Sequence, residues 1–373
     1  MSQPQNIPAL TSLRFFAAAA IFALHASQFA GFPTSDFMGF TLNQGVAFFY
    51  VLSGFILHYN YRSRLQDINL ASFFVLRFAR IWPLHVVTLV GAAALAWSDI
   101  VSWYYGHLSP YSLASIIFLL HAWSADNAVY FAINGVSWSI SAEMFFYACF
   151  VPLALCIKRK PVITCIAYLF LLALYVIIVW EHASLRALTD ALLSVNPFFR
   201  LIDFIIGILG AELLLRRKHS PDKSKLQMTC TEFLVLAAVI LANFFNHAAV
   251  TVGIENIYPP LRAIAYTSLT DPFFIVLICV FAHSKGLVSR LLNYKALVVL
   301  GQWSFAIYLV HQPLQRFISV HLTGFTPWAM TAAAVVATLV VSAVCHYWVE
   351  LPAYGLVKRL LARKANRVAH AAA

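Results

Sequence analysis

Arg14 and His25 stand eleven positions apart inside one apolar run that begins at Pro8. On a helix that spacing separates them by about 16 Å along the axis, about half of a ~30 Å hydrocarbon core. An ionisable group at that depth is costly and is kept where it faces a cavity or a partner. A guanidinium binds anions and holds its charge, whereas an imidazole can take and return a proton near neutral pH. The two together suggest a polar route through an apolar layer, with chemistry along it.

Further residues sort by depth into two groups. In the outer half, Glu143 lies in Ser137-Trp-Ser-Ile-Ser-Ala-Glu143-Met-Phe-Phe-Tyr147, at a depth where its carboxylate could share a proton with His25. That pairing would make His25 a general base oriented by Glu143. Asp203 is the competing carboxylate, although Arg200, one turn earlier, offers it a structural ion pair. Tyr308 and His311, in Tyr308-Leu-Val-His311-Gln-Pro, are candidate substrate-binding residues or helix-packing residues. In the inner half, Arg77 and Arg80 form an Arg-x-x-Arg pair. Positions i and i+3 on a helix turn both guanidinia one way, which suits bidentate phosphate binding. Lipid snorkelling would use the same pair. The nearby Arg14 favours an anionic ligand entering from the cytoplasm. Ser53 and Gly54, in mid-span, could line a substrate pore but read first as residues of close helix packing.

The elements that position these residues are membrane helices. The chain is 62% hydrophobic and 10% charged, against roughly 25% charged for soluble domains. Its long continuous apolar runs exclude a barrel, whose strands alternate. Candidate spans are 8–30, 44–61, 81–98, 137–157, 161–180, 198–215, 228–248, 264–283, 297–318 and 326–350. The apolar stretch 112–123 is too short to cross and is expected to be interfacial or re-entrant. With the N-terminus in the cytoplasm, the inner loops and tail hold 20 of the 25 basic residues and the outer ends hold four. That is the positive-inside pattern.

The expected fold is therefore all-α: a polytopic bundle of about ten transmembrane helices with both termini cytoplasmic. Residues 1–361 form a single membrane domain, and 362–373 are expected to be a disordered cytoplasmic tail. The net charge of +11 is spread over loops, which fits anionic lipid head groups and argues against nucleic acid. The six cysteines share no Cys-x-x-Cys spacing, and neither a disulfide nor a metal site is expected.

An ordered set of motifs runs through almost the whole chain. Arg14-x10-His25 is followed by Phe48-Phe-Tyr-Val-Leu-Ser-Gly-Phe55 and Arg77-x-x-Arg80-Ile-x-Pro83. Then come Trp138-Ser-Ile-Ser-Ala-Glu143, Gly301-Gln-Trp-Ser-Phe-Ala-Ile-Tyr-Leu-x-His311-x-Pro313 and Tyr347-x-x-Glu350-x-Pro352. In this the chain resembles the acyltransferase 3 family of integral membrane acyltransferases. It departs from the family pattern at Tyr50 and at Trp303-Ser-Phe, neither of which alters a polar site residue. The resemblance implies ten membrane helices in a stand-alone unit without the periplasmic hydrolase-like domain that some members carry. It implies an acyl-coenzyme A donor, acetyl-coenzyme A above all, used from the cytoplasm as a substrate and not as a cofactor. The acceptor would be a sugar hydroxyl of a surface or exported polysaccharide or lipid-linked glycan, and the location a bacterial inner membrane. It carries a catalytic role onto His25, a supporting role onto Arg14, donor recognition onto Arg77 and Arg80, and site membership onto Glu143. The alternative is a transporter or flippase that uses the buried Arg, His and Glu as a substrate or proton path, a class that shows inverted repeats and broken helices. No internal repeat is visible.

Overall fold

The computed structural model describes residues 7–33, 42–96, 109–182, 188–189, 191–217, 224–252, 259–283 and 285–371. Arg186, Lys218 and Lys223 of the charge pattern, 97–98 of the third expected span and the last two residues of the tail lie outside them. The described elements are helices. In order these are α1 (Pro8–Ala30), α2 (Gln44–Tyr61), α3 (Leu70–Leu95), α4 (Pro110–Ile117), α5 (Trp138–Arg159), α6 (Pro161–Glu181) and α7 (Pro197–Arg216). They continue with α8 (Lys225–Val252), α9 (Pro259–Thr267), α10 (Asp271–Phe281), α11 (Leu287–Leu292), α12 (Lys295–His321), α13 (Pro327–Cys345) and α14 (Leu351–Ala371).

The helix starts are written in the sequence. Proline occupies the first turn of α1, α6, α7 and α13, where its missing N–H removes no helical bond. Asn69, Asn196 and Thr326 cap α3, α7 and α13 through side-chain oxygens. Eight helical segments are long and apolar enough to cross a membrane. Two of the ten expected spans, α2 and α7, are 18 and 20 residues long and fall outside that set because of their polar and charged positions. These two pack in close backbone contact. A Cβ at Gly54 would sit 2.1 Å from the Phe204 carbonyl oxygen, and one at Gly207 would sit 2.0 Å from that of Val51. Only glycine permits that approach. By contrast α6 and α8 are the least buried of the membrane-length helices and present Leu, Ile and Phe outward, as lipid-facing helices do.

One expected element holds and two differ in detail. The 112–123 stretch does not cross: α4 is eight residues long. It is stitched to α3 by the Trp82 Nε1–H donating to the Ile117 carbonyl (3.0 Å), and to α5 by the Ser141 hydroxyl donating to the Leu119 carbonyl (2.7 Å). The 264–283 span is broken between α9 and α10. Gln44 of α2 fills the break, its amide donating to the Tyr266 carbonyl (2.7 Å) and accepting from the Thr270 hydroxyl (2.6 Å). Last, α14 runs through Ala371, over most of the segment expected to be disordered. Its Leu, Ala, Lys and Arg residues are strong helix formers.

Candidate active site

Helix α1 packs along α12, and this pair forms the spine of the site. Arg14 and His25 both lie on α1, but they open into different cavities.

The first cavity has a volume of about 410 Å³. Arg14, Arg77 and Arg80 line it, and Glu143 is the one carboxylate among its described lining residues. Arg77 and Arg80 reach it together because they are three apart on α3. The Arg77 guanidinium packs 5.5 Å from the Phe73 ring centroid and 6.0 Å from that of Tyr61, whose hydroxyl accepts its Nη2–H at 3.3 Å. Aromatic faces of this kind hold a cation without neutralising it. Arg14 donates through Nε to the buried Ser304 hydroxyl of α12 at 3.1 Å and lies 5.9 Å from the Phe49 ring. Glu143 accepts at the same oxygen from Tyr147, one turn along α5 (2.6 Å), and from Ser53 of α2 (3.0 Å). Its hydrogen bonds come from hydroxyls and leave the arginines available. Three guanidinia facing one carboxylate in a confined, partly apolar space make a site for a polyanion. His346, on the wide turn joining α13 to α14, also lines the cavity and is hydrogen-bonded to Glu350, four residues on.

The second cavity has a volume of about 470 Å³ and is lined by His25 and the amides of Gln28, Asn43 and Gln312. Trp138, Phe131 and Tyr266 supply aromatic surface, and no carboxylate lines it among the described residues. Arg200 and Arg316 border it, and Nη2 of Arg200 is paired with Asp203 at 2.8 Å. Aromatic faces with a few placed amides suit a neutral ligand rich in hydroxyls.

The hydrogen bonds around His25 fix which of its nitrogens is free. His311 Nδ1 lies 3.1 Å from the Ile307 carbonyl, four residues back on α12. A carbonyl only accepts, so Nδ1 of His311 carries hydrogen and, in the neutral ring, Nε2 carries the lone pair. That Nε2 is 3.1 Å from His25 Nδ1, which also faces the Ile21 carbonyl at 3.0 Å. Both neighbours are acceptors, so His25 Nδ1 is the donor. Nε2 of His25 is left with its lone pair as a base. The fully buried His311 thus orients His25, the part that a carboxylate takes in a Ser-His-Asp triad.

This corrects the expected pairing. His25 and Glu143 share no hydrogen bond and line separate cavities; the residue beside His25 is His311. Depth along a helix is legible from spacing, but the direction a side chain faces depends on how distant helices pack. Asp203 serves neither cavity directly. It pairs with Arg200 and accepts from Ser268 at 2.7 Å, in the structural role that its i, i+3 spacing offers. Arg14, Arg77 and Arg80 come together, and Tyr308 lies between the cavities, lining both. Ser304, Tyr147 and His346 join the site without having been candidates. The i, i+4 spacings of Glu143 with Tyr147 and of His346 with Glu350 are a readable signal for two of them. For Ser304, 290 residues from Arg14, no local signal exists.

The acyltransferase MdmB of Streptomyces mycarofaciens is 28% identical, over 95% of this chain and 93% of its own length. The O-acetyltransferase OatA of Staphylococcus aureus (strain NCTC 8325 / PS 47) is 24% identical over 94% of this chain but only 58% of its own length. YrhL of Bacillus subtilis (strain 168), whose name assigns it provisionally to peptidoglycan O-acetylation, is 22% identical over 93% of this chain and 54% of its own. The chain thus spans little more than half of OatA and YrhL. No solved structure is significantly similar to it. The acyltransferase-domain model of the acyltransferase 3 family matches residues 7–347, and the chain belongs to that family of enzymes.

Proposed function

We propose that this acyltransferase moves an acetyl group from acetyl-coenzyme A, held in the arginine cavity, to a sugar hydroxyl of an exported or surface polysaccharide or lipid-linked glycan, held in the histidine cavity. The observation that carries the proposal is that two cavities with different linings abut along one helix, α1, with Arg14 in one and His25 in the other. The names of OatA and YrhL, both O-acetyltransferases, support the acetyl group, and that of YrhL the glycan. In this proposal the protein is a multi-pass protein of a bacterial inner membrane with cytoplasmic termini, its arginine cavity opening inward.

Arg77 and Arg80 hold the donor's phosphates, and Arg14 stands along the path of the pantetheine arm. Glu143 offers that arm an acceptor for its amide N–H groups. His25 Nε2 removes the proton from the acceptor hydroxyl as its oxygen attacks the thioester carbonyl. The new C–O bond forms, the C–S bond breaks, and the thiolate of coenzyme A leaves and is protonated. An acyl-histidine route begins at the same Nε2, which attacks the carbonyl before the acceptor oxygen displaces it.

Oriented proteoliposomes test the whole reading. With radiolabelled acetyl-coenzyme A on one side and envelope glycan on the other, label should appear on the glycan while coenzyme A stays with the donor. Transfer only when donor and acceptor share a side would reject the through-membrane arrangement. The break between α9 and α10 is the one feature that favours the transporter alternative. In that case intact donor or saccharide would cross and no coenzyme A thiol would be released.

A further inference from the structure

Two described residues line both cavities, Val46 of α2 and Tyr308 of α12. Tyr308 is nearly buried, at 6% exposure. Its hydroxyl lies 2.7 Å from the Ser139 hydroxyl and 3.0 Å from the Val136 carbonyl, while Ser139 in turn donates to that carbonyl at 2.9 Å. The ring is braced at its sides as well. It lies 6.1 Å from the Phe49 ring, which carries the Arg14 guanidinium, and 5.9 Å from the His311 ring, which orients His25. A phenol tied at its oxygen and packed between two rings has one position open to it.

We infer that the Tyr308 ring, with Val46 as the other residue lining both cavities, forms the end wall of the donor cavity and limits the length of the acyl group that is transferred. This rests on the donor occupying the arginine cavity. A thioester entering past Arg14 meets the ring just where the base on the far side must be reached. A two-carbon acyl group can be presented at the seam between the ring and Val46. Each further methylene needs volume that the ring fills, and a wall pinned by two hydrogen-bond partners does not yield it cheaply. A single methylene in such a pocket changes selectivity by about 10- to 200-fold.

The test compares kcat/KM for acetyl-, propionyl- and butyryl-coenzyme A. The assay follows coenzyme A thiol release in membrane vesicles carrying the full-length protein and the host's envelope glycans. Tyr308→Ala should raise the butyryl-to-acetyl ratio about tenfold or more. Tyr308→Phe keeps the ring and should keep the wild-type ratio within about threefold, even where the lost hydroxyl lowers turnover. Val46→Ala opens the same seam from another helix and should raise the ratio by a smaller factor, about threefold to tenfold. It carries the test should Tyr308→Ala fail to reach the membrane. Unchanged ratios in both alanine variants, with activity lost equally for all three donors, would make Tyr308 a packing residue and overturn the inference. A wild-type protein that releases no thiol from any of the three donors would overturn the donor assignment itself, and the inference with it.

Discussion

The two cavities differ in how their polar groups are satisfied. In the arginine cavity the guanidinia of Arg14 and Arg77 meet hydroxyls and aromatic faces, Arg80 lines the same space, and the one carboxylate among the described lining residues is bonded to hydroxyls. Positive charge is left for a ligand to meet. In the histidine cavity Arg200 is paired with Asp203 and Arg316 stands at the border, and the rest of the lining is chiefly amide, aromatic surface and one imidazole nitrogen. Uncompensated charge binds a charged substrate by contacts remote from the reacting atoms. A single oriented base acts on the reacting atoms themselves. Substitutions in the first region should therefore appear in KM and those in the second in kcat, which gives the comparison an experimental form.

The largest effect is expected at His25. His25→Ala should lower kcat by about 10²- to 10⁴-fold with little change in donor KM, the range for loss of a general base. Retention of more than about a tenth of wild-type turnover would remove the base from this position. His311→Ala should cost less, about 10- to 100-fold in kcat, because the base survives but its ring and tautomer are no longer fixed; loss of an orienting partner has that scale at metal-bound histidines. His311→Gln, which can still accept from His25 Nδ1, should recover part of the loss. Equal defects in the alanine and glutamine variants would leave His311 with a packing role only.

Much of this architecture is legible in the amino-acid sequence. The class of fold follows from apolar runs of helical length, and Arg14, His25, Arg77 and Arg80 stand out because charge at membrane depth is expensive. Their division between two cavities is not legible there. His25 and His311 are 286 residues apart, and His25 and Glu143 have matching depths. Spacing gives height along a helix, but only the packing of α1 on α12, close enough to bring Arg14 to Ser304 and His25 to His311, decides which partner each residue meets. The break at 268–270 is hidden for a related reason, since Gln44 compensates it from another helix and the local hydropathy stays high.

The next effect in size belongs to the arginine pair. Arg77→Ala and Arg80→Ala should each raise the KM for acetyl-coenzyme A, by about tenfold for the loss of one charge-assisted contact, and leave kcat within about threefold. Lysine at either position should restore only part of the affinity, because it cannot offer the planar two-pronged contact. Steady-state kinetics in detergent with varied donor concentration measures both constants. A pure kcat defect would move these residues out of donor binding.

The smallest effect is expected at Glu143, and it sharpens the comparison most. Depth along the sequence pairs this carboxylate with His25, whereas its hydroxyl partners and its cavity place it with the arginines. Glu143→Gln keeps an oxygen to accept from Ser53 and Tyr147, so the bundle should fold and the cavity keep its shape. Only the charge is removed. If Glu143 serves the donor, the amide should shift the donor KM by less than about tenfold, or ~1.4 kcal/mol, and leave kcat nearly unchanged. The direction of the KM shift is informative in itself. A lower KM means the carboxylate chiefly opposes the donor's phosphates; a higher one means it chiefly accepts from the pantetheine amides. If instead Glu143 orients His25 during turnover, Glu143→Gln should lower kcat as steeply as His311→Ala does. Combining it with His311→Ala then settles the matter. Two residues serving different substrates give independent losses that add in free energy, whereas two residues supporting one imidazole do not.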